Sequence, residues 1–338
     1  MDNLTHSLVG LTAAKAGLER LSPGATILCV LAANSPDADV AVVLFGDRWD
    51  YLHHHRGITH SIAGVITLAI LLPLIFYGVD RLWARLRGQT PKTKLRGLLI
   101  VSFIVSATHP LLDWTNNYGV RLLLPWSPRW FYGDLVFIID PFLWVVLGTA
   151  FFLLVSKNSV RERWGERIAF VAFGIVLAYW SALGFAHARA VTDGREEAAR
   201  IVAPSGETVQ RLAAMPTLAN PLRWDCVFET DRATYRFRVH LNTDDSPPRV
   251  IRYEKPSGAL AQVMNTVEEK KPARIFLGFA RFPVARLADA DCTTQTLVQL
   301  ADLRYTEPGR SRGVFSLELP VDCPNEPGTE GKQNEKGR

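Results

Sequence analysis

The sequence predicts a mainly α-helical membrane protein that continues into a small, β-rich soluble domain. Residues 1–187 are strongly apolar, whereas residues 188–338 are polar. The overall hydrophobic content of 48% lies within the ~45–50% that is typical of soluble chains, so the average hides this division. Apolar runs in the first part reach about 20 residues, the length that a bilayer requires. Alternating, strand-like runs separated by turn residues occupy the second part.

The apolar runs predict a polytopic domain with about four to five spans and one interfacial helix. The runs long enough to span lie at residues 24–45, 58–79, 97–112, 135–156 and 168–187. In the run at 135–156, Asp140 and Pro141 interrupt the apolar sequence early. Pro110 indicates that the run before it ends or kinks there, or that a new helix opens at this proline.

Residues 3–19 predict an amphipathic helix that is too short and too polar to span a bilayer. Its apolar side is lined by Leu4, Leu8 and Leu11. Asn3 or Thr5 is the expected cap, and His6 lies off the apolar side. We expect this helix at the membrane interface or as a re-entrant segment.

The run at 24–45 contains a polar break from Asn34 to Asp39 that includes Pro36 and two aspartates. Such a break at membrane depth is tolerated where it is buried in protein or lines a cavity, and discontinuous helices of this kind form membrane binding sites. The alternative is a pair of short helices joined by a surface loop.

Short basic loops predict the orientation of the chain in the membrane. Residues 80–96 and 157–167 are rich in Lys and Arg, so both loops should face the cytoplasm. The loops at 45–57 and 114–135, and the C-terminal domain, then face the other side. Trp114, Trp126 and Trp130 are the candidate interface anchors. The net charge of +5 is explained by this topology, so nucleic acid is not expected as a partner, and the acidic start at Asp2 indicates no cleavable signal peptide.

The domain at 188–323 should begin with a helix and continue as strands, and residues 324–338 read as a disordered tail. The predicted segments are a helix at 188–203 and strands at Trp224–Phe228, Thr234–Leu241, Arg249–Tyr253, Arg274–Phe279 and Gly313–Leu319. If the domain lies outside the cytoplasm, a disulfide among Cys226, Cys292 and Cys323 is expected, with one thiol left over. His240 reads as a surface strand residue, and the domain shows no catalytic constellation.

A set of histidines and aspartates marks the outer ends of the apolar runs. The candidate metal ligands are His6, Asp37, Asp39, His55, His60, His109 and Asp113. His109 and Asp113 are four residues apart, so on a helix they share a face. Unpaired, each buried charge would cost several kcal/mol, whereas one shared cation satisfies all of them. Imidazole with carboxylate suits Zn²⁺, with Mn²⁺ and Fe²⁺ as alternatives. His53 and His54 read as interfacial residues.

Four motifs in this set resemble those of a bacterial family of inner-membrane, metal-dependent hydrolases that is LexA-regulated and YdjM-like. The motifs are Asp2-Asn3-Leu4-Thr5-His6-Ser7, Pro36-Asp37-Ala38-Asp39, His55-Arg56-Gly57-Ile58-Thr59-His60-Ser61 and Thr108-His109-Pro110-Leu111-Leu112-Asp113. Their order is also similar, more distantly, to the zinc-dependent phospholipase C and P1 nuclease group, whose trinuclear centre cleaves phosphodiesters. The chain departs from that group because no further histidine closely follows Asp113. Asn116, Asn117, Asp134 or Asp140 are open as substitutes.

The resemblance implies a hydrolase that cleaves a phosphoester of a lipid or another membrane-associated substrate with a metal-activated water. Arg56 is the expected phosphate contact, or an interfacial cation. Asp37 or Asp39, whichever is not a ligand, is the expected general base. The alternatives are a non-enzymatic transporter or ion-handling protein, and a membrane anchor for an outer sensing domain. The sequence leaves the number of ions and the oligomeric state open.

Overall fold

A computed structural model describes residues 1–155, 159–242, 248–289 and 294–323 of the chain. The helices are α1 (Asn3–Lys15), α2 (Ala25–Asn34), α3 (Arg48–His54), α4 (Ile62–Leu86), α5 (Leu95–Trp114), α6 (Pro141–Val155), α7 (Ser159–Val202), α8 (Gly258–Glu269) and α9 (Lys271–Phe279). The strands are β1 (Arg211–Thr217), β2 (Asn220–Glu229), β3 (Ala233–His240), β4 (Ile251–Glu254), β5 (Pro283–Leu287), β6 (Gln295–Asp302) and β7 (Ser316–Asp322). Short 3₁₀ helices lie at Leu18–Arg20, Ser35–Leu44, Ile58–His60 and Gly313–Phe315.

The predicted fold class is confirmed, since helices fill the first half and antiparallel sheets the second. Within the described residues, four helical segments are long and apolar enough to cross a membrane: Ala25–Leu44, Ile62–Leu86, Leu95–Trp114 and Trp164–Val202. α6 has only 15 residues and is about 22 Å long, less than the ~30 Å of a bilayer core. It begins at Pro141 because Asp140 caps it, accepting from the backbone N–H of Phe142 and Leu143 at 2.9 and 3.3 Å.

The break predicted in the run at 24–45 is present, but the two halves are not joined by a loop. α2 ends at Asn34, and the chain passes directly into the 3₁₀ helix Ser35–Leu44. The side-chain amide of Asn34 donates to the Val30 carbonyl at 2.9 Å and to the Ser7 hydroxyl at 3.0 Å. These bonds hold the start of the polar break inside the protein, and because no loop separates the two helices, the surface-loop alternative is wrong.

α5 continues through Pro110 to Trp114, so the expected end of the helix before this proline is wrong. A proline within a helix removes one backbone hydrogen bond, and neighbouring packing compensates for the loss. The side chains around it are held from both sides: His109 and Leu112 are buried among the other helices. His109 and Asp113 therefore stand one turn apart on a single helix.

α1 is packed into the helical domain and does not lie flat on its surface. It contacts α2, α5 and α6, because Thr5, His6 and Val9 face inward while Leu4 is 51% exposed. The expected apolar side and the expected caps are therefore wrong. Asp2 is the cap, and its carboxylate accepts from the Thr5 backbone N–H at 3.0 Å.

The two ends of the helical domain differ in charge. At one end, Arg20 pairs with Glu166 at 2.6 Å, and Lys94 donates its backbone N–H to Ser22 at 2.9 Å. The two basic segments that were expected to face the cytoplasm lie at this end, but they are not loops throughout, because residues 80–86 belong to α4, residues 95–96 to α5 and residues 159–167 to α7. The other ends of α2, α4 and α5 carry the candidate metal ligands, with His60 and Asp113 buried there. The candidate site and the C-terminal domain thus lie at the end opposite the basic loops.

α7 runs for 44 residues and crosses the expected domain boundary at residue 187 without a break. It leads into a four-stranded antiparallel sheet, β1-β2-β3-β4, and a three-stranded one, β5-β6-β7. The strand predicted at Arg274–Phe279 is wrong, because this segment belongs to α9. Pro272 opens that helix, and Ala273, Phe276 and Phe279 are buried at helical spacing.

Two cysteine outcomes can be stated for the described residues. Cys226 and Cys29 are free, buried thiols, and Cys323 is disulfide-bonded. Cys292 and the predicted tail at 324–338 lie outside the described residues. His240 ends β3 on an exposed surface, as expected.

The C-terminal domain packs directly on the site end of the helical domain. Trp49, Leu52 and Tyr118 share one apolar core with Phe276 and Phe279 of α9. The indole N–H of Trp130 donates to the Gly278 carbonyl at 3.0 Å, so Trp130 contacts this domain. Trp114 and Trp126 are exposed, which keeps them as interface anchors.

Candidate metal centre

Four side chains from three elements converge at the site end of the helices. They are Asp37 from the 3₁₀ helix that follows α2, His60 from the 3₁₀ helix before α4, and His109 and Asp113 from α5. Each offers one ligand atom, and these atoms lie within 4.8 Å of one another. The side chains of His60 and His109 are 0% exposed and that of Asp113 is 1% exposed, whereas Asp37 is 13% exposed. The cluster is therefore buried and opens beside Asp37.

Five of the six separations among these four atoms lie between 3.1 and 3.5 Å. His60 Nε2 lies 3.1 Å from His109 Nε2, 3.3 Å from Asp37 Oδ1 and 3.3 Å from Asp113 Oδ2. His109 Nε2 lies 3.5 Å from Asp37 Oδ1 and 3.4 Å from Asp113 Oδ2. A tetrahedron with edges of this length has its centre about 2.0 Å from every corner, which is the Zn–N and Zn–O bond length. The donor atoms therefore fit a tetrahedral metal.

Both imidazoles are oriented through their other nitrogen. The Nδ1–H of His109 donates to the Ala33 carbonyl at 2.6 Å, and this fixes the tautomer because a carbonyl only accepts. His60 Nδ1 lies 3.3 Å from Asp39 Oδ2 and 3.0 Å from Thr59 Oγ1. Histidines that bind metals typically make such a second bond to a carboxylate or carbonyl. Both Nε2 atoms are thereby left to face Asp37 and Asp113.

His6 is buried beside this group with both ring nitrogens lacking a hydrogen-bond partner among the described residues. Its ring stacks on that of His109, with centroids 3.8 Å apart, and its Nε2 lies 3.5 Å from Asp113 Oδ1. A buried polar group without a partner is costly. The position of His6 is consistent with a further ligand or with an imidazole that packs against the centre.

Arg56 compensates part of the negative charge. Its Nη2 lies 3.0 Å from Asp113 Oδ1, and its Nη1 donates to Asn116 Oδ1 at 3.0 Å and to the Gly119 carbonyl at 3.2 Å. The guanidinium also lies over the Tyr118 ring, 4.5 Å from its centroid. The backbone of Arg56 has a φ of +52°, in the left-handed region that a long side chain rarely adopts. This conformation turns the side chain into the protein.

The amino group of Met1 also contacts Asp113. Three carboxylates, Asp37, Asp39 and Asp113, are thus packed with one guanidinium and one amino group. With neutral imidazoles, negative charge exceeds positive charge in a buried space. A bound cation would remove this imbalance.

A second group shares Asp37 and adds Asp39 and His55. Asp39 already accepts the Arg56 backbone N–H at 3.0 Å and the Thr59 hydroxyl at 3.4 Å, and His55 Nδ1 lies 3.2 Å away. Burial lowers the pKa of His55 below its usual value, and Asp39 opposes this shift. Asp39 is therefore arranged to orient both His55 and His60, and it remains within reach of an ion held by Asp37.

The remaining sequence candidates lie apart from the four-residue cluster. His53 and His54 are exposed. Asp134 pairs with Arg281 at 2.8 Å, and Asp140 caps α6 and accepts from Tyr179 at 2.9 Å. Asn116 has its amide oxygen committed to Arg56 and to the Tyr118 backbone N–H.

Sequence reasoning missed two contributors to the site. The Ala33 carbonyl that orients His109 carries no signal in the sequence, because every residue has a carbonyl. Tyr118 lies under Arg56 and also packs on Phe279, with ring centroids 4.8 Å apart. The sequence shows that the loop at 114–135 is rich in aromatic residues. It does not show that this loop packs on α9, which lies much later in the chain.

The helical half with this centre is the part of the chain that known proteins share. The profile of the YdjM inner membrane protein family matches residues 1–190. The chain belongs to the YdjM inner membrane protein family. Together with its four apolar helices, this makes it a multi-pass inner-membrane protein. The match ends within α7, so the two sheets lie beyond it.

Two relatives are similar to part of the chain. The inner membrane protein YbcI of Escherichia coli (strain K12) is 31% identical over 133 residues, which cover 38% of this chain and 70% of YbcI. The uncharacterized protein YfhP of Bacillus subtilis (strain 168) is 27% identical over 155 residues, 43% of each chain. The alignment thus spans less than half of the length of YfhP. No solved structure matches the chain.

Proposed function

We propose that this protein is a membrane-embedded, metal-dependent hydrolase that cleaves a phosphoester of a lipid or another membrane-associated substrate. The observation that carries the proposal is the buried group of ligand atoms from Asp37, His60, His109 and Asp113, which lie within 4.8 Å of one another, with both histidines held through Nδ1. The order of these residues along the chain also resembles that of the zinc-dependent phospholipase C and P1 nuclease group.

The donor set favours zinc. Two imidazoles and two carboxylates at tetrahedral spacing suit Zn²⁺, and Mn²⁺ or Fe²⁺ accept the same donor types. No cysteine thiol contributes to the two groups in the described part of the chain. His6, Asp39 and His55 stand beside the four atoms and would complete the coordination of a second ion.

The proposed chemistry is activation of water at an electrophilic phosphorus. A divalent ion held here would lower the pKa of a bound water from 15.7 toward about 7 and polarise the phosphoryl oxygen. Asp37 is the most exposed of the four ligands, so water and substrate reach the centre on its side. Asp39, two residues beyond Asp37, holds His60 in place and is the proposed general base.

Arg56 is suited to a phosphoryl group only in part. Both terminal nitrogens are committed to Asp113, Asn116 and Gly119, whereas Nε has no partner among the described residues. The amide nitrogen of Asn116 is likewise buried and unpartnered in that part of the chain. Buried N–H donors without acceptors are suited to an anionic oxygen, so we assign these two to the phosphoryl group.

The surroundings of the opening favour a membrane-associated substrate. Val40 and Ile58 flank Asp37 and His55 in sequence and are 55% and 48% exposed. Exposed apolar side chains at the end of a membrane segment lie against lipid. In this proposal, the basic loops face the cytoplasm, and the opening and the C-terminal domain face the extracytoplasmic side.

The test is hydrolysis by purified protein in lipid vesicles. Wild-type protein should release phosphate or a phosphorylated headgroup, should lose this activity on chelation and should regain it with Zn²⁺ or Mn²⁺. His60→Ala should be inactive, and His240→Ala, an exposed histidine of β3, should match wild type. A protein that binds metal but cleaves no phosphodiester, phosphomonoester or carboxylic ester would contradict the proposal.

The break after α2 favours one second candidate, which is an ion-handling protein. Asp37 sits on a discontinuous membrane segment, and such segments coordinate transported ions. In this case, proteoliposomes should accumulate Zn²⁺, and His60→Ala should abolish uptake. Metal-dependent hydrolysis without Zn²⁺ uptake would favour the hydrolase over the ion-handling protein.

A further inference from the structure

One of the contacts between the C-terminal domain and the loop beside the candidate centre is made by a buried arginine. Arg304 follows β6, and its side chain is 0% exposed, as is that of its ion-pair partner Asp302. Two hydrogen bonds join the pair, because Nε and Nη2 of Arg304 donate to Asp302 Oδ2 at 2.8 and 2.6 Å. Asp302 thus fixes the guanidinium in one orientation.

Nη1 of Arg304 is directed at the helical domain. Nη1 donates to the backbone carbonyls of Asn117 and Tyr118, both at 3.0 Å. Nη2 also donates to the Phe279 carbonyl at 2.9 Å. The loop that follows α5 is therefore tied to the end of α9 through one side chain.

From this loop the contacts continue to the centre in two steps. The Tyr118 ring lies under the Arg56 guanidinium, and the Tyr118 backbone N–H donates to Asn116 Oδ1 at 2.9 Å. That same oxygen accepts from Arg56 Nη1. Arg56 in turn contacts Asp113. Each member of this chain is buried, so moving one displaces the next.

We infer that Arg304 is a positioning residue for the proposed phosphoryl contact, acting on Arg56 through Tyr118. The C-terminal domain is then a second wall of the site and not a separate sensing module. The inference rests on the proposed function in one respect, because it takes Arg56 and Asn116 as the donors to a phosphoryl oxygen. The residues that supply this wall lie beyond the family match, which ends at residue 190.

A second contact between the two domains supplies a matched control. Arg281 binds both carboxylate oxygens of Asp134 at 2.9 and 2.8 Å, and it also joins the C-terminal domain to the loop after α5. It lies over Tyr132 and not against Tyr118. Loss of the Arg281 side chain should weaken the contact between the two domains without displacing Arg56.

The experiment measures the affinity of the full-length, zinc-loaded protein in detergent for inorganic phosphate by titration calorimetry. Arg304→Gln should weaken binding by about tenfold, the scale of one hydrogen bond to a charged group, and Arg281→Gln by much less. In the Arg56→Gln background, Arg304→Gln should have no further effect, because residues that act through one another are not additive. Bound zinc per chain should equal that of wild type in all of these variants.

Three results would overturn the inference. The first is that Arg304→Gln weakens phosphate binding by the same factor in the wild-type and Arg56→Gln backgrounds. The second is that Arg281→Gln weakens phosphate binding as much as Arg304→Gln does. The third is that the wild-type protein binds no phosphate. If Arg304→Gln fails to fold, Tyr118→Leu and Tyr118→Phe replace it. The first removes the ring under Arg56 and should weaken phosphate binding, and the second keeps the ring and should not. The zinc content per chain tests the proposed metal centre independently of the phosphate affinity.

Discussion

His60 and His109 present Nε2 to one point because an outer partner holds Nδ1 of each ring. Asp39 serves His60, and the Ala33 carbonyl serves His109. The sequence predicted that His60, His109, Asp37 and Asp113 belong together, since spacing and burial cost both pointed to them. It did not separate ligands from the residues that orient them, because Asp37 and Asp39 differ only in which side of a 3₁₀ turn they occupy.

Replacing Asp39 by Asn should weaken metal binding without abolishing it. The amide keeps the size of the carboxylate but orients His60 less strongly, and loss of such an outer partner costs about 10–100-fold in metal affinity. Titration with a metal-buffered Zn²⁺ series measures the effect. Asp231→Asn, a change at an exposed aspartate of the C-terminal domain, is the control and should leave the affinity unchanged. An Asp39→Asn protein with no measurable metal would make Asp39 a ligand.

Among the elements, α1 and α2 make the closest contact that supports the centre. A Cβ at Gly10 would lie 2.7 Å from the Cys29 carbonyl oxygen and 3.0 Å from the Ala33 Cβ. Small residues permit such close approach of membrane helices. The contact brings His6 of α1 and the Ala33 carbonyl of α2 to opposite sides of His109.

Gly10→Ala should therefore lower the free energy of unfolding by about 1–3 kcal/mol, the usual cost of overpacking. Gly78→Ala is the matched change in α4, where an added Cβ meets nothing within 4 Å. It should be neutral or stabilise the protein by up to about 1 kcal/mol, because alanine favours helix. Thermal unfolding in detergent compares the two variants. Equal melting temperatures for both would show that the α1–α2 contact is not tight.

Element type was predictable where apolar residues formed long runs, and less so where packing decides. The spanning helices follow from length and hydropathy alone. The strand expected at α9 is wrong because its apolar run at 275–277 is short, and a short apolar run does not distinguish a strand from a helix whose buried side is Ala273, Phe276 and Phe279. α5 passes Pro110 because its neighbours hold the helix, which no local rule reports.

For the whole molecule, the charge difference between the two ends of the helical domain predicts its orientation. The basic loops lie at one end, and the site and C-terminal domain lie at the other. Alkaline phosphatase fused after residue 338 should be active in cells, because that enzyme folds only outside the cytoplasm, whereas a fusion in the basic loop at 87–94 should be inactive. The reverse pattern would place the site on the cytoplasmic side.

The association of the two domains was beyond sequence reasoning. It depends on residues such as Arg304 and Tyr118, which are 186 positions apart and carry no motif. A buried arginine in a strand-rich domain reads as a surface residue until its partners are known. The sequence thus predicted two domains but not that the second forms part of the wall around Arg56.

The central claim is that Asp37, His60, His109 and Asp113 hold a metal ion, and metal analysis of the purified protein tests it most directly. Wild-type protein and His53→Ala, a change at an exposed histidine, should carry at least one equivalent of zinc, manganese or iron per chain. His109→Ala and Asp113→Asn should carry about tenfold less or none, because each removes one corner of the tetrahedron. Stoichiometric metal that survives both substitutions, in protein that remains folded, would contradict the account.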